Sequence, residues 1–141
     1  MNNPALGFAL QVARVATPLF FVAHAVVRIT SGSVPQFASF MAAKGFGDGF
    51  AVVWAITAYE LLAGAMILLG YRVRLFAAGL AAIVLGGIVL IHFQLGWFVG
   101  EHGTGGSEYS VALLVLLLVI AAGDRDGLYA RPWTRRAWRA A

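Results

Sequence analysis

Cysteine is absent from the chain, and charge is scarce: 11% of its 141 residues are Asp, Glu, Lys or Arg, against about 25% in an ordinary soluble domain. The first absence excludes disulfides, iron–sulfur clusters, thiolate zinc sites and thiol catalysis. Any redox chemistry must therefore come from outside the chain. The second absence, with 61% hydrophobic residues and a mean hydropathy of +0.85, excludes a soluble enzyme and indicates a membrane protein. At about 20 residues per spanning helix, the length accommodates one domain of four helices and little else.

What charge there is lies unevenly. A sequence pI near 10.1 would suit a nucleic-acid binder, but the arginines gather in a loop and a tail beside apolar segments, as expected next to an anionic inner leaflet. No nucleic acid is expected as a partner. The first apolar stretch, residues 5–29, has neither an early basic region nor a small-residue cleavage site, so a removed signal peptide is not expected.

Apolar runs and turn residues divide the chain into four spans. The first covers about residues 10–29, and a loop with Ser31, Gly32, Ser33 and Pro35 follows. Residues 37–44 read as a short interfacial helix with Phe37, Phe40 and Met41 on one side, broken by Gly45, Gly47 and Gly49. The second span, residues 50–69, holds a single charge, Glu60. After the basic turn at Arg72 and Arg74 comes a third, from Leu75 to Phe93 or Trp97. The fourth covers about residues 107–123 and must count Glu108 to be long enough. Gly79, Gly86 and Gly87 would let neighbouring helices approach closely.

Orientation follows from the basic residues. Arg14, Arg72, Arg74, Arg125, Arg131, Arg135, Arg136 and Arg139 fall on one side, and Arg28 and Lys44 on the other. Both termini are therefore expected in the cytoplasm. The expected architecture is all-α: a four-transmembrane-helix bundle over residues 1–125 and a basic cytoplasmic tail over 126–141, in a bacterial cytoplasmic (inner) membrane crossed several times.

Within the spans sit His24, Arg28, Glu60, His92 and Glu108. Each ionisable group at membrane depth costs about 2.5 to 3.5 kcal/mol on insertion scales, so each needs a partner or a task. At about 1.5 Å rise per residue, all of them fall in the outer half. His24 and Arg28, four apart, continue a stripe through Phe21, Thr17 and Arg14, and Thr57, Glu60 and Gly64 form a matching one. These stripes should face the bundle interior, with Arg28 paired to Glu60 or Glu108. The simplest role for such a pair is to knit helices together.

The functional readings build on that pocket. A quinone site needs an apolar cleft with aromatic walls and a few polar groups to bind carbonyls and move protons. Phe20, Phe21, Trp54, Tyr59, Phe93 and Trp97 are candidates for the walls. A bis-histidine haem b would need facing axial imidazoles, and His24 and His92 satisfy only the count. Glu101 with His102 falls short of a metal site, and no metal is expected.

The pattern also resembles the DoxX-like integral membrane proteins, which include DoxD-type subunits of thiosulfate:quinone oxidoreductase. The resemblance lies in Arg14, Arg28 (where the family usually has Lys), Glu60-Leu61-Leu62-Ala63-Gly64, Leu68-Leu69-Gly70 with Arg74, His92, Glu108, and the closing stretch Ala121-Ala122-Gly123-Asp124-Arg125-Asp126-Gly127. It covers about residues 10–130. His24 departs from the family's usual small residue. The resemblance implies a four-helix membrane bundle tied to quinone-linked or oxidative-stress-related redox processes. Arg28, Glu60, His92 and Glu108 are then the candidate catalytic residues, and His24, His92, Trp54 and Tyr59 the candidates to contact a quinone. Membrane lipids and other membrane subunits, or further copies of the chain, are the expected partners. The competing expectation is a non-catalytic scaffold or accessory subunit that stabilises a larger membrane complex.

Overall fold

The computed structural model describes residues 4–100 and 105–125, with the backbone alone at Arg125. Among these residues every regular element is helical: α1 (Pro4–Thr30), α2 (Val34–Ala43), α3 (Gly49–Leu68), α4 (Val73–Leu90), a 3-10 turn (His92–Leu95) and α5 (Glu108–Arg125). The basic tail expected over 126–141 lies outside the described residues, as do Glu101 and His102.

Three helices, α1, α3 and α4, are long and apolar enough to cross a membrane. They leave many large side chains exposed, among them Phe8, Val27, Leu62 and Leu75, as helices do when hydrocarbon rather than water is outside. The fourth long helix, α5, has 18 residues but carries Glu108, Asp124 and Arg125 among them.

Local chemistry sets the helix ends. Ser33 and Pro35 start α2 early, at Val34 rather than at Phe37, because proline in a first turn forfeits no helical hydrogen bond. Asp48 caps α3 by accepting the Ala51 amide at 3.1 Å. The third span was expected to reach Phe93 or Trp97, but α4 ends at Leu90. Ile91 leaves helical geometry at φ −124° and the chain tightens into the 3-10 turn before Gly96 reverses it at φ 87°. His92 therefore sits on that turn, outside the α-helix.

The four long helices form a square in which α3 lies between α1 and α4, while α5 packs on α4 and α1. Two close approaches lock the square. A Cβ on Gly64 would strike the Val22 side chain of α1, and one on Gly79 would strike the Tyr59 hydroxyl. At one end a core of Ala63, Ile67, Val73, Ala77, Leu80, Leu113, Leu117 and Ile120 is closed. At the other, α2 folds back on the start of α3 through Val34, Ala38, Met41 and Val53.

Candidate functional site

The inward stripe of α1 buries Arg14, Thr17, Phe21 and Ala25 and brings Arg28 to its end. That of α3 buries Val53, Thr57, Glu60, Gly64 and Ile67. Where they meet, Arg28 Nη1 donates to Glu60 Oε2 at 2.7 Å and to Thr57 Oγ1 at 2.8 Å, and Nη2 donates to Glu60 Oε1 at 3.4 Å. Thr57 passes its own proton to the Val53 carbonyl at 2.7 Å. The Phe37 ring of α2 lies 5.3 Å from the guanidinium carbon, a cation–π distance. The side chains are 12% and 5% exposed, so the pair is desolvated, and its geometry is what offsets that cost. Glu60 is thus Arg28's partner.

Glu108 has another task. Its carboxylate accepts the Val99 amide at 3.0 Å, and its own amide donates to the Trp97 carbonyl at 3.0 Å. Next to it, Ser107 Oγ donates to the Gly96 and His92 carbonyls at 2.8 and 3.3 Å. Together they tie the start of α5 to the loop behind the 3-10 turn.

Arg28 and Glu60 line an open cavity of about 810 Å³ bordered by α1, α2, α3, α4, α5 and the loop before α5. Cavities of about 300 to 1,000 Å³ hold small-molecule ligands. Its walls are mainly apolar, with Phe21, Phe37, Phe40, Ile83, Val84 and Leu113 prominent. His24 and His92 join Arg28 and Glu60 on the lining. His24 is exposed at the mouth, whereas His92 is half-buried. The His92 Nδ1 atom is buried without a hydrogen-bond partner, while the Cδ2–Nε2 edge of its ring passes 3.8 Å from where a Cβ on Gly87 would stand. Burial pushes the His92 pKa below the usual histidine value, and the nearby His24 lowers it further. The ring is held neutral, with one nitrogen available to donate and one to accept.

Of the residues singled out by sequence, the fold gathers His24, Arg28, Glu60 and His92 on one lining and leaves Glu108, Trp54 and Tyr59 off it. Trp54 is 49% exposed on α3. Tyr59 packs its ring 6.3 Å from that of Phe76 and donates its hydroxyl to the Phe76 carbonyl at 3.4 Å, seated over Gly79. Its work is to hold α3 to α4. Phe20 and Phe21 do reach the cavity, but Phe93 and Trp97 do not. Sequence reasoning missed the α2 contribution, Phe37, Phe40 and Met41. The apolar side of that short helix was legible as a membrane-surface face, and the same pattern serves a cavity wall. Among the described residues no group of three or more His, Cys, Asp or Glu is placed to hold a metal.

A family model described as DoxX matches residues 9–93. The matched stretch ends just past His92 and includes Arg14, Arg28, Glu60, Gly64 and Arg74, while α5 with Glu108 lies beyond it. No curated protein and no solved structure matches the chain.

Proposed function

The chain belongs to the DoxX family of membrane proteins, and on that premise we propose that it is a membrane subunit of a quinone-dependent oxidoreductase, of the DoxD, thiosulfate-oxidising kind. A partner subunit holds the redox centre. All four long helices cross a bacterial inner membrane with both ends in the cytoplasm, which places the cavity toward the periplasmic leaflet. The arginine distribution supports that orientation.

The observation that carries the reading is an apolar cavity whose lining includes the Arg28–Glu60 ion pair and a histidine, His92, with a buried ring nitrogen that has no partner. Arg28 makes three hydrogen bonds to Glu60 and Thr57, and a guanidinium has five N–H groups, so it has donors to spare for a carbonyl oxygen. Glu60 fixes where those donors point. His92 holds or releases a proton, and His24, exposed on the same lining, exchanges protons with it. A bound quinone supplies the redox chemistry, taking two protons and two electrons, the electrons from the reduced centre of the partner.

The scaffold reading rests on glycine-bearing helix faces and on the basic tail, which lies outside the described residues. Gly64 and Gly79 are spent on close packing within the chain, and Gly86 and Gly87 line the cavity.

The test is binding of decylubiquinone to the purified protein in lipid nanodiscs. Glu60→Gln and His92→Ala should each weaken it by about tenfold, the loss of about 1.4 kcal/mol. Equal affinity in both variants and the parent overturns the reading.

A further inference from the structure

The four seams of the helix square are not sealed alike. Between α1 and α3 lie the Arg28–Glu60 pair and the contact of Gly64 with Val22. Between α3 and α4, Tyr59 fills the space over Gly79. The α4–α5 seam runs through the closed core at Leu80, Val84, Leu113 and Leu117. The α1–α5 seam changes along its length: Leu10 and Ala13 of α1 pack on the core that holds Leu117 and Ile120, Phe21 and Leu113 join that core at the cavity's edge, and beside them a ring pair bridges the two helices. Phe20 and Tyr109 meet edge to face with centroids 6.4 Å apart and planes at 69°.

Both rings line the cavity, and yet they are 43% and 44% exposed. They stand where α1 meets α5 at the edge of the square, with the cavity on one side and the outside of the bundle on the other. Phe20 lies in the middle of α1, a candidate membrane span, and exposed Leu19 and Val27 flank it. What lies outside the pair at that depth is hydrocarbon. One edge-to-face contact is weak beside interlocked packing and can part by side-chain rotation alone.

We infer that Phe20 and Tyr109 form a lateral doorway through which an uncharged, single-chain amphiphile enters the cavity from the bilayer. The inference rests on the quinone reading and adds the route and the charge of the occupant. The route follows from the place of both rings between α1 and α5, at the edge of the square. The charge follows from the lining, because Arg28 and Glu60 cancel each other at 2.7 Å and, among the described residues, the lining holds no other Asp, Glu, Lys or Arg. An anionic head would have to compete with Glu60 for Arg28, while a carbonyl needs only the donors Arg28 has left over.

The absence of cysteine makes a clean test available. In a Phe20→Cys/Tyr109→Cys variant the introduced thiols are the only ones, and a short bis-methanethiosulfonate linker joins them reversibly. Nanodiscs are loaded with decylubiquinone, crosslinked, and mixed with excess empty vesicles, and probe release is timed. Release should slow by tenfold or more after crosslinking and recover on reduction, while Phe20→Ala should release faster than the parent. Decanoate should compete for the cavity at least tenfold less well than decanol. Release that is unchanged by the crosslink, with probe still bound, overturns the doorway alone. Decanoate competing as well as decanol overturns the uncharged occupant. A parent protein that never binds the probe overturns the quinone reading and the doorway with it.

Discussion

The two ends of this bundle solve the same packing problem in opposite ways. At the closed end, Ile67, Val73, Ala77, Leu80, Leu117 and Ile120 are each at most 1% exposed and pack into one apolar cluster. At the cavity end the helices stand apart, and what spans the gap is an arginine–carboxylate pair, a threonine and a short helix folded inward. In lipid, helices gain little by hiding apolar surface from one another, since the surroundings are equally apolar. A space held open there needs polar bonds at its edge.

The largest effect should come from dividing the pair that holds the open end. Arg28→Ala or Glu60→Ala strands a buried charge and should cost about 3 to 5 kcal/mol, read as a fall in the melting temperature of the detergent-solubilised protein. The double variant Arg28→Met/Glu60→Met should recover most of that loss, because no charge is left unpaired, but should not recover quinone binding. A double variant as unstable as either single one would mean that the pair does more than neutralise itself.

A matched truncation sharpens the contrast. Leu80→Ala at the closed end should cost about 2 to 5 kcal/mol, through lost contacts and a new void. Ile83→Ala, about one turn farther along α4 and on the cavity wall, removes contacts on only one side and should cost about 1 kcal/mol or less. Equal costs would mean that the cavity end is packed as firmly as the core.

The smallest effect concerns His92. Its pKa is lowered in the folded chain, so the unfolded chain binds more protons between that lowered value and about 6.5. Stability is then complete above about pH 6.5 and declines as pH falls through that window. His92→Asn should flatten the decline without moving the melting temperature at pH 7.5. A parent profile that is already flat from pH 5 to 7.5 removes burial of a neutral imidazole from the account.

The helices were legible because apolar runs punctuated by Gly, Pro and Ser leave few alternatives, and the stripes Arg14-Thr17-Phe21 and Thr57-Glu60-Gly64 follow from helical spacing alone. The end of α4 was not legible, since Ile91, Phe93 and Leu95 continue the apolar run with His92 and Gln94 between them. Bonds from Ser107, 15 residues farther on, hold the turn that stops it. Tyr59 was misread for a related reason. An aromatic in a spanning helix has the same composition whether it lines a ligand site or fills the notch at Gly79, and the neighbour that decides comes from another helix.

The sequence by itself determined that this chain lives in a membrane, that no thiol or iron–sulfur chemistry resides in it, and that its few ionisable groups must find one another, because composition and helical periodicity are properties of the chain alone. Only the tertiary structure decided that Glu60 rather than Glu108 receives Arg28, that His92 stands on a turn facing a cavity, and that α2 walls it. Those outcomes depend on distances between segments far apart along the chain, which packing sets and local pattern does not encode.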